Sequence, residues 1–407
     1  MAEDHDVRTL TDPADRRAAT DLFRASVHAG PIGDAVWERH GHAADEHWLG
    51  ARTDDGELAG TAFSFPTRLT LPGGTRVPVA AVSAVGVRAD RTRAGRLSAL
   101  MRAQLTAAAD RGDVAAVLRA SETGIYERFG YGIAARGEHV RVGAHPRWRP
   151  EAPAGGTVRM LGPDEAVTVL PPLQERLAGA RPGGMTRNER WWTRAVHPGG
   201  QEDEYRGFAV HRGPDGDDGF VQWGLRRGEP RTPGGGDVLE AQQLWAAGPD
   251  AVAGLWRFLT GIDLTSAVMS WVRPLDEHLD LMLVDPREVR VEGRGDDVWL
   301  RLLDVRGALA ARSWGPADPV VLRVRDPLFD DRSGTWRIGP DGPAPAGAAA
   351  PELECDVAGL GTAFLWDRAP SVLVATGRWT EHVPGAAARA DLLFGTGGPA
   401  PWCGTFF

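Results

Sequence analysis

At 407 residues the chain is long enough for two or three domains with well-buried cores. A composition of 25% charged and 42% hydrophobic residues excludes a disordered or fibrous class. A net charge of −9 with no basic block argues against nucleic acid as a partner.

All 46 basic residues are arginine and Asn188 is the only asparagine, a pattern we ascribe to GC-rich coding. MAEDHDVRTL is charged from the start, so no secretory signal is expected. The most apolar runs, VPVAAVSAVGV (77–87) and LTSAVMSWV (264–272), are too short to span a bilayer, and no membrane partner is expected. Two cysteines, Cys355 and Cys403, make no disulfide framework. Together these features predict a cytoplasmic, reduced protein.

In chain order, TDPADRRAATDLFRASVH opens as a helix, with Asp12 as N-cap and Pro13 at the first helical position. Ala18, Leu22, Phe23 and Val27 fall on one of its faces. Strand-like runs follow at 56–69 and, after the turn PGG, at 75–87. A helix is expected over 95–112, then a buried strand VAAVLRAS (114–121), a short helix at 123–129 and a strand at 136–143. Strand, helix, strand in this order implies a mixed sheet with a crossover.

HPRWRPEAPAGG (145–156) reads as a linker. Beyond it the order partly repeats: a helix from near Pro163, strands at 206–211, 219–226 and 238–246, a helix at 249–260, and strands at 266–272 and 279–284. A second copy of the first fold is expected on that order alone. Trp191 and Trp192 are expected in its core. From about residue 288 the pattern becomes α+β, with strands VVLRVRD and GTWRIG, a low-complexity loop at 339–354, and helices AGLGTAFLWD and AAARADLLFGT. The boundaries expected are 1–148, 149–287 and 288–407.

The chemistry concentrates between 83 and 132. A strand through Val85, Gly86 and Val87 runs into an arginine-containing turn and directly into a helix. Gly95 permits close backbone approach, and the free amides of the first helical turn form an anion site suited to pyrophosphate. Arg91, Arg93 and Arg96 add positive charge.

SAVGVRADRTRAGRL, SETGIYERFGYG, DPLFDDRSGTWRIG and the closing LLFGTGGPAPWCGTFF resemble the enhanced-intracellular-survival (Eis) family of N-acetyltransferases, within the GNAT superfamily. The resemblance covers the whole chain. It implies two tandem GNAT folds (α/β, mixed sheets) followed by a sterol-carrier-protein-like α+β domain. It also implies acetyl-CoA as co-substrate and a homohexamer. Where the broad superfamily has Gln or Arg three residues before Gly95, this chain has Thr92, which shifts phosphate contact to backbone amides and Arg93.

By that resemblance Val85, Gly86 and Val87 pair with the pantetheine arm. Arg93, Ala94, Gly95, Arg96, Leu97 and Ser98 hold the pyrophosphate, and Ser121 with Glu122 flanks the thioester. Tyr126 is the general acid, since a phenol of ordinary pKa, near 10, is protonated at neutral pH. Tyr131 reads as a packing residue. The terminal carboxylate of Phe407 serves as general base, its pKa raised from roughly 3.5 by burial beside Phe406. The other reading of PWCGTFF is an apolar plug with a salt-bridged carboxylate, leaving His28, Glu122 or Glu127 as bases. Ser26, His28, Trp37 and Phe406 are candidate substrate contacts, Trp37 being equally consistent with a core role.

The central fold lacks the arginine turn and is expected to have lost cofactor binding. No His/Cys cluster has zinc spacing, so no metal is expected. The acceptor expected is a small-molecule amine of the aminoglycoside type or another cation. A peptide amine, or a non-catalytic carrier built on the third domain, stands as the alternative.

Overall fold

The computed structural model describes residues 6–40, 46–197, 205–226 and 236–407. Contacts divide the chain into two units. One comprises Met1–Ala134, Val298–Gly398 and Phe406–Phe407; the other comprises Ala135–Asp297 and Pro399–Thr405.

In the first unit an antiparallel run joins Val7–Thr9, His47–Arg52, Leu58–Thr70 and Arg76–Val87. Ala115–Leu118 then pairs parallel to Arg76–Val87, and Trp299–Leu302 adds antiparallel beyond it. The crossover to the parallel strand is the helix Arg96–Asp110, which buries Leu100, Met101, Gln104, Leu105 and Ala108. That i, i+4 spacing places one face on the sheet. The opening helix, Pro13–Ser26, starts as its sequence requires: the Asp12 carboxylate accepts from Ala14 N at 2.7 Å, with Pro13 in the first turn.

The third-domain part of this unit is a sheet ordered Gly342–Pro345, Gly334–Gly339, Val320–Arg325, Leu353–Asp356, Trp379–Glu381. Helices Val305–Ala311, Val357–Phe364, Pro370–Ala375 and Ala386–Phe394 accompany it. Buried Arg312 donates to Phe364 O at 2.7 Å and Phe394 O at 2.6 Å. One guanidinium thus caps the last carbonyls of two helices, where a cation complements both dipoles. Burial pushes Arg312 down to about 9, so it remains cationic at neutral pH.

The second unit repeats the arrangement. Thr157–Leu161, Arg206–Gly213, Gly216–Arg226 and Asp237–Ala246 run antiparallel. Thr265–Pro274 pairs parallel to Asp237–Ala246 after the crossover helix Pro249–Thr260, and Gly132–Gly143 pairs antiparallel beyond it. Helix Pro163–Gly179 and helix Glu189–Val196 complete the fold, and the Asn188 side chain caps the latter, its Oδ1 accepting from Trp191 N at 2.8 Å. Trp192 is buried in this core.

Several local expectations are corrected. The helix expected at 123–129 is two 3₁₀ turns, Thr123–Ile125 and Glu127–Phe129. Gly124 disfavours a continuous helix, and Gly130 ends the second turn at φ 86°. The strand expected at 279–284 is a 3₁₀ turn, Leu279–Met282, anchored by buried Leu279 and Leu283. The presumed loop 339–354 contains the strand Gly342–Pro345, paired to Trp336–Gly339, and the start of Leu353–Asp356. Cys355 and Cys403 are buried free thiols. Among the described residues no helix is long and apolar enough to cross a membrane.

Candidate active site

The site begins where two parallel strands part. Pairing between Arg76–Val87 and Ala115–Leu118 runs from Val79–Ala115 to Val82–Leu118 and stops, while the first strand continues to Val87. On its other edge the register slips between Thr61 and Phe63, which bulges the strand at Ala84. Ala84 sits at φ 45°, in the left-handed region that a non-glycine residue occupies at a cost of about 1–3 kcal/mol. A bulge bends its strand and re-aims it. Ser83–Val87 therefore turns a polar backbone edge without a ladder partner into the gap, the geometry that accepts an added strand-like ligand. A cavity of about 1030 Å³ opens there.

At the end of that strand the turn is tightly folded. Arg93 and Gly95 both have left-handed backbones, φ 62° and 81°, and no side chain caps the helix that starts at Arg96. Left-handed residues beside uncapped first-turn amides aim N–H groups at a common point, a nest for an anion. Arg96 donates to Arg91 O at 3.2 Å, while its Nε is buried with no partner among the described residues. Thr92 and Leu97 line the cavity, and Arg93–Arg96 and Ser98 form the turn and helix start rather than the wall. Arg88, on the wall, is tied to Glu57 and Asp90.

Across the gap, Ser121, Glu122 and Tyr126 line the cavity. Tyr126 is 7% exposed, and burial, with the Glu122 carboxylate adding, pushes its phenol up to about 12. Its O–H is thus a protonated donor at neutral pH. The turn carrying it is closed by Phe129 N and Tyr131 N donating to Tyr126 O at 3.0 and 3.4 Å. Arg301 Nε holds Phe129 O at 3.2 Å, and Arg301 Nη2 pairs with both Asp326 oxygens at 2.9 and 2.6 Å. Both members of that ion pair are fully buried. Tyr131, edge-on to Tyr126 with ring centroids 6.1 Å apart, is fully buried, as a packing residue should be.

The remaining wall is the end of the first helix. Ala18, Leu22, Phe23, Ser26 and His28 line it, so the apolar face read from sequence looks partly into the cavity. Gly86 makes this possible: a Cβ there would lie 2.6 Å from Ser26 Oγ and 3.3 Å from Phe23 Cα. Phe407 lines the same cavity, its ring edge-on to Phe65 at 5.9 Å.

Two expected contacts fall elsewhere. Trp37 is 7% exposed and absent from the wall, which matches its core reading. Phe406 is 65% exposed and also off the wall, with the Arg119 guanidinium 3.9 Å above its ring. The expected burial of Phe407 beside Phe406 is therefore corrected: adjacent residues of an extended chain point to opposite sides, and only Phe407 turns inward. Sequence reasoning missed Arg119, which lines the cavity one residue beyond Leu118. The parting of the strands at Leu118 exposes it, and no local motif marks that point. Among the described residues no group of His, Cys, Asp and Glu is placed to hold a metal.

Family models agree with this architecture. An acetyltransferase (GNAT) domain matches residues 6–134, a second acetyltransferase (GNAT) domain 183–302, and a sterol carrier protein domain 305–404. An uncharacterized N-acetyltransferase of Streptomyces avermitilis is 35% identical over 391 residues, 91% of each chain. N-acetyltransferase Eis of Mycobacterium tuberculosis is 31% identical over 356 residues, 84% of each chain. The crystal structure of Eis1 from Mycobacterium abscessus superposes with TM-score 0.86 at 32% identity, covering 99% of this chain and 100% of that one. The chain is therefore an N-acetyltransferase belonging to the Eis-like family of the GNAT superfamily.

Proposed function

We propose that the cavity binds acetyl-CoA along the Ser83–Val87 edge and acetylates a primary amine of a cationic, aminoglycoside-type small molecule in one ternary complex. One observation carries the reading: the unpaired strand edge, Tyr126 and Phe407 line the same cavity. The residues fit the co-substrate. Val85, Gly86 and Val87 offer main-chain partners to an amide-bearing arm, and the amides of Arg96, Leu97 and Ser98 face an anion. The partnerless Arg96 Nε supplies a donor at the turn. Arg93 and the Ala94–Gly95 backbone shape that nest. Ser121 and Glu122 flank the reacting end.

When bound, acetyl-CoA supplies an acetyl thioester, and a C–N bond to the amine forms as the C–S bond breaks. The chain moves two protons. The Phe407 α-carboxylate accepts one from the substrate ammonium, freeing the nitrogen lone pair. The Tyr126 O–H donates a proton to the departing sulfur, as its raised pKa suits it to do, and the phenolate left behind is reprotonated by the second proton lost from the acylated nitrogen.

Glu122 and the Phe407 carboxylate give the wall negative charge for a cationic acceptor, whereas Ser26 and Phe406 add none. This supports acceptance of aminoglycosides with weak selection among amines. Kanamycin and a simple arylalkylamine, each with acetyl-CoA and thiol detection, should turn over with kcat/KM values within about tenfold of each other, about 1.4 kcal/mol. A large preference for kanamycin would overturn weak selection. No thiol release across aminoglycosides, polyamines and peptides would overturn the acceptor class. The homohexamer is carried from family resemblance, and light scattering at a monomer mass of 43.6 kDa would remove it.

A further inference from the structure

The second acetyltransferase fold has the same parting strands, and what lies between them is the chain itself. Asp237–Ala246 and Thr265–Pro274 pair in parallel only as far as Ala241–Ser270. The register of Asp237–Ala246 against its antiparallel neighbour slips between Ala241 and Gln243, so this strand too bulges where the gap opens. Val272, just past the parting on the other strand, has φ 55°.

Residues Pro399–Thr405 reach both strands beyond that point. Trp402 Nε1 donates to Val272 O at 2.5 Å on one strand, and its ring lies 4.4 Å from that of Trp245 on the other. Arg187 donates to Gly404 O at 2.8 Å and Thr405 Oγ1 at 3.1 Å, and its Nη1 bonds the Gln243 side chain. Its guanidinium lies 3.9 Å from the Trp191 ring centroid. Arg273 Nη1 donates to Leu244 O at 2.7 Å, bridging the parted strands behind the indole.

The backbone of the segment is bonded almost continuously. Ala400 N donates to Asp276 at 2.9 Å, Ala400 O accepts from Arg181 at 2.7 Å, and Trp402 N donates to Pro182 O at 2.8 Å. Cys403 N and Gly404 N donate to buried Asp297 at 2.5 and 3.3 Å. Gly183, at φ 87°, lets the loop approach: a Cβ there would lie 3.1 Å from Trp402 N and C. Trp402 is 4% exposed and joins a hydrophobic core cluster of this unit with Trp192, Phe220 and Trp245.

The turn into the crossover helix differs as well. Where the first fold has Arg91, Arg93 and Arg96, this one has Gly248, Pro249 and Asp250. Pro249 removes an amide donor, and Asp250, in the first helical turn, accepts from Gly155 N at 2.8 Å, so this turn carries a carboxylate where the first has arginines.

We infer that the second fold is a peptide-binding site, its slot between the parted strands serving as receptor for the chain's own Pro399–Thr405 segment, with Trp402 as the anchor. An aromatic side chain filling a fully desolvated pocket, ringed by main-chain hydrogen bonds, is the arrangement of a high-affinity peptide site. The parallel with the first fold rests on the proposed cofactor reading of that cavity. Peptide retention does not depend on that reading, since it is measured without turnover.

A protease site inserted between Gly397 and Gly398 of the full chain lets the tail be nicked after folding. The nicked protein should retain the tail through gel filtration. Labelled PAPWCGT, which stops at Thr405 and so lacks Phe407, should exchange into it, and unlabelled PAPWCGT should compete at least about a hundredfold better than the Trp402→Ala peptide. Coenzyme A at saturation should not displace the label. Loss of the tail from a nicked chain that keeps its far-ultraviolet circular dichroism would overturn the assignment. Equal competition by the Trp402→Ala peptide, or displacement by coenzyme A, would do the same. A failed acetyltransferase assay with peptide retention intact would instead count against the proposed mechanism alone.

Discussion

The two acetyltransferase folds share a strand order, a crossover helix and a bulged strand beside a parallel partner, yet they differ beyond the point where those strands part. In the first, Ser83–Val87 borders a cavity walled by Tyr126 and Phe407. In the second, the equivalent stretch is covered by Trp402 and held by Arg187. Neither crossover helix has a side-chain cap, but their turns differ in sign: arginines in one, Pro249 and Asp250 in the other. A bulged parallel pair is therefore a general-purpose slot, and the charge of the adjoining turn decides what it can receive. On the two readings proposed above, the same backbone device serves a phosphate-bearing ligand in one fold and an aromatic peptide in the other.

The largest effect should come from the residue that separates a working site from a packed end. Appending a few residues after Phe407 replaces its carboxylate with a neutral amide. Turnover should fall by roughly two to four orders of magnitude, with acetyl-CoA affinity nearly unchanged. Tyr126→Phe should also lower turnover, through the other proton. An extended chain that folds, binds co-substrate and turns over normally would leave Phe407 as packing only, and His28 or Glu122 would be the base to test.

The first fold has a brace whose removal should cost stability. Arg301→Leu leaves the Asp326 carboxylate buried without its cation and frees the Phe129 carbonyl. Breaking such a pair costs about 3–5 kcal/mol, so the urea midpoint should drop sharply. An unchanged midpoint would mean that Asp326 is satisfied by the Leu328 and Phe329 amides it already accepts from at 3.1 and 3.2 Å.

Much of this contrast was legible in sequence, and the rest was hidden for identifiable reasons. The helix 13–26 announced itself through Asp12 and Pro13, and the crossover helix through its apolar spacing. Both signals are local. The order of elements in the second fold was readable as far as Thr265–Pro274, but its last strand, Gly132–Gly143, comes from ahead of the expected linker, and the strand expected at 279–284 is a turn. The bulge at Ala84 was not, because alanine carries no turn signal and the strain is imposed by neighbouring strands. The outward turn of Phe406 was missed because aromatic composition says nothing about which of two adjacent side chains faces in. The anchors of the tail, Arg187, Val272 and Asp297, lie more than a hundred residues away in sequence, beyond any periodicity.

A smaller effect tests how closely the first helix must approach the slot. Gly86→Val places methyl groups against Ser26 Oγ and Phe23 Cα, contacts of 2.6 and 3.3 Å already for a bare Cβ. Overpacking of this kind costs about 1–3 kcal/mol. Because the strain falls on the slot wall, KM for acetyl-CoA should rise more than kcat falls. A variant with normal KM would place the co-substrate away from this strand edge.

The smallest expected change is a pH limb that stays out of reach. Burial, with Glu122 adding, raises the Tyr126 phenol to about 12, so its proton is held more tightly than in a free tyrosine of pKa about 10. Turnover should therefore show no loss attributable to Tyr126 until the pH approaches about 11. Below that the general acid is fully protonated. Glu122→Gln removes only the lesser contribution and should move the limb down by less than about one unit, leaving burial dominant. A kcat profile that falls with a midpoint near 9, in a protein still folded there and with a limb that vanishes in Tyr126→Phe, would show the phenol ionising easily. Tyr126 would then sit in a wet, polar setting, and the distinction between a reactive slot in the first fold and a buried one in the second would need redrawing.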